Sequence, residues 1–403
     1  MIPFRSAIEC ILEQTDSLSV EDASIFNSHH RVVGKTIEAP QDVPSFQNSA
    51  MDGYAIRFSD LQDKQDLSVV GEVRAGLAGR LSVKPGEAIR IMTGGEIPHG
   101  TDTVVRKEDT ELISRQRIRI LDAPKKGENV RLKGEDLRVG ALVLEEGVDI
   151  TPAAIGLLAS LGVSRLAVRR KPKVHILPTG SELAEVGQSF AKPVVYNSNT
   201  PMLESMVERD GGNPRRLAIA PDDPKEMKVR LEEGLDADLL LTCGGVSVGE
   251  YDYVRNVLEQ LGVKILFHKV AIKPGKPLLF GVKEKPQKCL VLGLPGNPVS
   301  TWLTYEIFVR PALRKLLGLR DLERKTIRAN LEEFLPKKPG LTHFVRAILE
   351  YRNDQFYVRS TGPQGSHLLT SVVKANCLIV LDEVQGDVKV GEWVDVIPMF
   401  PMI

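Results

Sequence analysis

Apolar positions recur at helical spacing over residues 5–15, RSAIECILEQT, and predict a short N-terminal helix. The pattern then dissolves into residues 38–50, EAPQDVPSFQNSA, whose Pro, Ser and Asn content reads as loop. From about 54 to 148 short alternating runs take over: DLSVVGEV, GEAIRIM, DTVVRKE, RIRIL and GALVLEEG. Turn residues separate them, and together they predict a small β-rich unit. Residues 151–163, TPAAIGLLASLGV, predict a helix with Thr151 as its cap and Pro152 in its first turn.

From about 172 the period changes again. PKVHILPTG, PRRLAIA, DLLLTCGG, VKILFHKVAI and KCLVLGLPG read as strands. NTPMLESMVERDG, PKEMKVRLEEGL, YDYVRNVLEQLG and a long segment at 298–317 read as helices, the last carrying a stripe of Trp302, Tyr305, Val309, Leu313 and Leu316. Such alternation implies a parallel sheet with helices on both faces. After about 325, THFVRAILEY, QFYVRS, CLIVLDE and EWVDVIPMF return to short strands and predict a small barrel or sandwich.

Composition narrows the setting. A chain of 403 residues suggests two to four packed units, and one this long buries a large core without disulfide or metal staples. Lys+Arg and Asp+Glu are both 53, so no global field points to nucleic acid and local clusters must carry any ligand argument. Cys10, Cys243, Cys289 and Cys377 are far apart with no C-x-x-C pair, which fits a reducing cytosol rather than a zinc or disulfide framework. The first apolar stretch is interrupted by charges, unlike a secretory signal. No run approaches the ~20 apolar residues of a membrane span. The expectation is a cytoplasmic protein with no nucleic-acid or membrane partner.

Three loops at the carboxyl ends of predicted strands stand out as candidate chemistry: Pro178–Glu182, Gly244–Asp252 and Gly293–Pro298. Glycines let backbone N–H groups approach an anion, and a following helix adds its positive end. Asn297-Pro298 suits an N-cap and first-turn pair, and Asp222-Asp223 ahead of Pro224 offers another N-cap. Each loop alone also fits a tight strand–helix turn without a ligand. Three on one sheet edge, two carrying carboxylates, favour a phosphate or nucleotide pocket. Lys269, Lys273 and Lys276, in a stretch stiffened by Pro274 and Pro277, suit an oligoanion. Asp52, Asp136, Glu182, Asp222 and Asp252 supply carboxylates. Mg²⁺ takes one or two of these plus phosphate oxygens, and phosphoanhydride cleavage needs such a metal.

In order along the chain, NSAMDGYA (48–55), RIMTGG (90–95), RLKGED (131–136), PTGSE (178–182), GGVSVGEYD (244–252), KPGKP (273–277), GLPGNPVS (293–300) and GPQGSH (362–367) resemble the molybdopterin molybdenumtransferases. These are the bacterial MoeA proteins, similar to the E domain of gephyrin. The resemblance runs from about residue 2 to 400. It implies insertion of molybdenum from molybdate into adenylylated molybdopterin, with Mg²⁺-dependent phosphoanhydride cleavage and release of AMP. It also implies a homodimer, and an adenylyltransferase that acts before it as a possible partner.

The fold implied is α/β plus β in several domains. A linking subdomain comprises 21–45 and 140–168, and a β-rich domain 46–139. A three-layer α/β molybdopterin-binding domain comprises 1–20 and 169–323, and a C-terminal β-barrel 324–403. By motif, Asp52, Thr93, Asp136, Glu182, Asp222 and Asp252 are the expected catalytic set, with Glu182, Asp222 and Asp252 on the metal. Arg131, Gly244, Gly245, Ser247, Gly249, Lys269, Lys273, Lys276, Pro295, Gly296, Asn297, Pro298, Arg346 and Ser366 are the expected substrate-binding set. The chain departs from the pattern after Gly94, in GEIPHGTDTVVRKEDT. There the family more often has apolar or Gln residues at Arg106 and Lys107, so the local charge is more positive. Competing readings are a molybdopterin adenylyltransferase, which would resemble the α/β domain alone, a non-enzymatic molybdopterin-binding scaffold, and a tungsten-selective paralogue.

Overall fold

The computed structural model describes residues 1–62, 65–76, 81–188, 195–244 and 253–399. Gly245, Ser247, Gly249 and Asp252 lie outside the described residues.

The N-terminal helix spans Phe4–Glu13 and buries Phe4, Ala7, Ile8 and Ile11. These side chains join the core of the distant α/β domain, where Phe4 meets Phe308 and Phe344 edge to face. The chain then crosses to a small unit in which Val20–Ser24 pairs antiparallel with Arg165–Arg169, and Leu142–Leu144 with Ile37–Glu38. The helix Pro152–Ser160 packs here, capped by Thr151 Oγ1, which accepts the Ala154 N–H.

The β-rich part is one six-stranded sheet in the order Thr103–Arg106, Gly53–Ile56, Glu87–Ile91, Asp66–Val73, Arg117–Ile120, Thr110–Ser114. It closes over two small apolar clusters, one around Ile56, Leu67 and Ile118 and the other around Ile89, Ile91 and Val104.

The α/β sheet runs Asn213–Arg216, Lys173–Pro178, Leu239–Cys243, Cys289–Leu294, Pro277–Lys283, Lys264–Lys269. Its first four strands are parallel, and the last two are antiparallel to their neighbours. The sheet is therefore mixed, not wholly parallel. The reason is local: no helix separates Lys264–Lys269, Pro277–Lys283 and Cys289–Leu294, and connections this short permit only hairpins. Helices cover both faces. Leu203, Met206 and Val207 pack on one side, and Met227, Leu231, Val254 and Leu258 on the other.

The expected long helix at 298–317 is interrupted. Pro298–Thr304 and Arg310–Leu316 are α-helical, and Tyr305–Val309 between them forms a π-turn. Pro311 has no N–H to give the preceding turn, and the widened turn absorbs that loss.

At the C-terminus, Thr342–Arg352, Gln355–Ser360, Ile327–Leu331, Trp393–Pro398 and Cys377–Leu381 pair in that order. The first strand pairs again with the last, closing a five-stranded barrel. Ile272–Lys273, from the lysine stretch of the α/β domain, adds a parallel strand to Thr342–His343 on its edge. No helix among the described residues is long and apolar enough to cross a membrane.

Candidate functional site

Because Lys173–Pro178, Leu239–Cys243 and Cys289–Leu294 are parallel, their three following loops leave the sheet at the same end. Backbone bonds tie them: Thr179 N–H donates to the Cys243 carbonyl, Gly180 N–H to Ala220 and Gly244 N–H to Leu294. Gly244 has φ +96°, and a Cβ there would lie 2.7 Å from the Thr179 carbonyl oxygen, so only glycine permits this approach.

A cavity of about 830 Å³ opens at this end. Its walls include Thr179, Gly180, Glu182, Asp222, Gly244, Pro295, Gly296, Asn297 and Pro298. The expected loop residues in the described part thus share one cavity. Asp223, not Asp222, caps the helix Pro224–Gly234, accepting the N–H groups of Lys225 and Glu226. Asp222 engages Ser181 instead. Its Oδ2 accepts the Ser181 N–H at 3.1 Å while its own N–H donates to Ser181 Oγ at 2.9 Å. Glu182 folds its carboxylate over Gly180, where an added Cβ would lie 2.6 Å from Glu182 Oε2. No side-chain hydrogen bond or ion pair engages Glu182 among the described residues. Asn297 sits at the N-cap position, yet its side chain makes no capping bond, so its amide stays available to the cavity. Cys243 also lines the wall, and burial pushes its thiol up to about 12, which keeps it protonated and removes it as a nucleophile.

Sequence reading missed the segment Tyr196–Asn199, which completes the wall. The available signal was Asn-Ser-Asn immediately before a helical period, a capping composition. It also missed the bonds by which Ser181 holds Asp222, for which no local pattern gives a sign.

The remaining candidates gather elsewhere. Lys273 is exposed on the strand attached to the barrel, and Lys269 is half-buried at the end of Lys264–Lys269. Lys276 is exposed in the connection that follows Lys273 and leads into Pro277–Lys283. Arg346 is almost fully buried in the barrel wall, where its guanidinium donates to Ser371 Oγ and the Gly365 carbonyl. Its backbone holds the Gln364 amide at both ends. Arg346 thus wires the GPQGSH loop, which contains half-buried Ser366, to the barrel. Burial lowers its pKa to about 10, so it remains a cation at neutral pH, and no carboxylate among the described residues pairs with it. The helix that follows, Leu369–Lys374, packs on Pro298–Thr304 beside the cavity mouth.

A second cluster forms at one end of the β-rich sheet. Val130–Arg131 pairs with Asn48–Ser49, and Ser49 exchanges backbone bonds with Gly94 and Gly95. Three motifs far apart in sequence therefore meet here. Asp52 Oδ1 accepts both the backbone N–H of Thr93 (2.7 Å) and its hydroxyl (2.8 Å). These bonds, with the cations Lys107 and Arg90, hold the Asp52 carboxyl below the usual carboxylate range. Arg106 is neutralised by a two-point pair with Asp109, so Lys107 is the added cation that acts on Asp52. Asp136 is exposed and its N–H bonds to the Val43 carbonyl. None of the described residues walling the 830 Å³ cavity comes from this cluster, nor do Lys269, Lys273, Lys276, Arg346 or Ser366 line it. No group of three or more His, Cys, Asp or Glu side chains suited to a metal ion occurs among the described residues.

Comparison with known proteins covers the whole chain. Residues 2–162 match the MoeA N-terminal region (domain I and II), 175–315 a probable molybdopterin binding domain, and 328–399 the MoeA C-terminal region (domain IV). The chain is 40% identical to the molybdopterin molybdenumtransferase of Haemophilus influenzae, over 96% of this chain and 94% of that one. It is 32% identical to that of Staphylococcus aureus over 98% and 95%. The crystal structure of a molybdopterin biosynthesis MoeA protein from Pyrococcus horikoshii superposes with a TM-score of 0.84 at 28% identity, covering 100% of both chains.

Proposed function

The chain belongs to the MoeA family of molybdopterin molybdenumtransferases, enzymes of molybdenum cofactor biosynthesis, and on that footing we propose that it inserts molybdenum from molybdate into adenylylated molybdopterin, cleaving the phosphoanhydride and releasing AMP. The observation that carries this reading is the cavity at the carboxyl end of the parallel strands, with carboxylates and open backbone turns in one wall. Matches on both sides of the α/β domain separate it from an adenylyltransferase limited to that domain.

Mg²⁺ fits the donor set: the Glu182 carboxylate has no partner among the described residues, and Asp222 uses only Oδ2, so hard oxygen ligands remain beside the cavity. Asp252, the third expected ligand, lies outside the described residues. Bound beside the cavity, Mg²⁺ would neutralise charge on the phosphoanhydride oxygens. The Gly244 and Gly296 turns let the substrate phosphates approach backbone N–H groups. Lys269, Lys273 and Lys276 attract the anions, and Arg346 with Ser366 supplies a cation whose charge no carboxylate among the described residues offsets.

Asp52, held ionised by Thr93, together with Asp136 and Arg131, would act from the second cluster. We place that cluster against the cavity of a partner chain in a homodimer, working in the cytoplasm and receiving substrate from the adenylyltransferase that precedes it.

The direct test is AMP release from adenylylated molybdopterin, measured with molybdate, with tungstate and with neither oxyanion, each with and without Mg²⁺. Release that requires molybdate and Mg²⁺ is expected. Equal release with tungstate would mark a tungsten-competent enzyme. Substrate binding without release under any condition would favour a scaffold.

A further inference from the structure

At the start of the helix Asn199–Arg209 three polar atoms are buried with no hydrogen-bond partner among the described residues: Asn197 Nδ2, Asn199 Oδ1 and Thr200 Oγ1. Asn197 is only 2% exposed, and both asparagines line the cavity. The orientation of each amide is fixed at its other end. Asn197 Oδ1 accepts the Thr200 N–H at 3.2 Å, so its amino group is what remains unpaired. Asn199 Nδ2 donates to the Gly296 carbonyl at 2.8 Å, so its carbonyl oxygen remains. Flipping either amide would set donor against donor or acceptor against acceptor. The wall therefore carries one committed donor and one committed acceptor, both unsatisfied, and native chains seldom keep such groups without something to pair with them.

A helix N-terminus alone would suit any anion. This pair does not, because an oxyanion has no N–H for Asn199 Oδ1. We infer that Asn197 and Asn199 recognise the edge of a fused nitrogen heterocycle, with Asn197 Nδ2 donating to a ring nitrogen or oxo group and Asn199 Oδ1 accepting from an adjacent amino group. The inference rests on the reading that this cavity holds the substrate, whose pterin and adenine rings both carry such an edge.

Two matched ligand pairs test it, each by calorimetric titration of the full chain. Pterin is compared with lumazine, which has an oxo group in place of the amino group and an N–H in place of the adjoining ring-nitrogen acceptor, and AMP is compared with IMP, which differs in the same way. The wild type should prefer the amino member of one pair by about tenfold, the worth of one well-made hydrogen bond, and the pair concerned identifies the ring. Asn199→Ser should lower that ratio. Loss of its tether to Gly296 weakens both members alike and leaves the ratio untouched, which separates recognition from a structural role. Asn197→Ser, whose hydroxyl can still accept the Thr200 N–H, should weaken the amino member more than the oxo member, because only the amino member offers Asn197 Nδ2 a ring-nitrogen acceptor. A ratio near one in the wild type, or one unchanged in Asn199→Ser, overturns the assignment but not the cavity reading. Binding of none of the four ligands overturns both.

Discussion

Ser181 and Asp222 bind each other twice, the backbone N–H of each donating to the side chain of the other across 41 residues of sequence. This reciprocal clasp joins the loop after Lys173–Pro178 to the entry of the helix Pro224–Gly234. It also aims the Asp222 carboxylate while occupying only one of its oxygens.

The clasp and a metal-binding role are separable. Ser181→Ala removes one hydrogen bond, worth about 1 kcal/mol, but leaves the carboxylate in place. Turnover is expected to fall a few-fold with little change in the Mg²⁺ requirement. Asp222→Ala removes the carboxylate together with the bond it accepts from the Ser181 N–H, and should lower turnover much further and raise the Mg²⁺ concentration needed for half-maximal activity. Equal losses in the two variants at saturating Mg²⁺ would mean that Asp222 only holds the loop.

Thr93 sets the charge of Asp52. The Asp52 carboxyl is depressed first by the Thr93 backbone N–H, then by its hydroxyl, with smaller help from Lys107 and Arg90. A depressed carboxylate stays ionised until pH falls below its ordinary range. Thr93→Val keeps the backbone bond and deletes the hydroxyl, so the acid limb of kcat/KM should move to higher pH. Lys107→Gln should move it in the same direction. An unmoved limb in a folded Thr93→Val protein would remove Asp52 from control of that limb.

His343 reports on the junction between barrel and lysine stretch. Desolvation, then Lys273 and Lys337, lower its pKa to about 4 from 6.5. Above pH 6.5 it is neutral in both folded and unfolded chains and contributes no pH dependence. As pH falls from 6.5 toward 4, the unfolded chain takes up the proton first and the folded state loses stability. His343→Asn should therefore flatten the fall of Tm expected of the wild type between about pH 7 and 5. Parallel Tm curves for the two proteins would contradict this.

The order and type of most elements could be read from hydrophobic period, because Thr151, Pro152 and the strand–helix alternation act locally. The strand Pro277–Lys283 escaped because it opens with proline straight out of the KPGKP loop, and its apolar run lacks alternation. That omission also hid the mixed character of the sheet. The cavity loops were legible through their glycines. Tyr196–Asn199 was not, since a helix-capping composition looks the same whether or not its amides face a ligand. The meeting of Asn48, Thr93 and Arg131 depends on long-range ladders, which no local pattern records.

Those ladders leave two separate clusters in one chain, Asp52 with Thr93 on the β-rich sheet and Glu182 with Asp222 at the cavity. If they work together across a homodimer, mixing Asp52→Ala protein with Glu182→Ala protein, each impaired alone, should restore activity. A mixed dimer then holds one site with both lesions and one with none, and about half of normal activity per mixed dimer returns when the sites are independent. If each site is completed within one chain, every site in the mixed dimer carries a single lesion and nothing returns. Subunit exchange has to be established separately, for example by co-purification of two differently tagged variants. Exchange without recovery would falsify the shared site and assign both clusters to one chain.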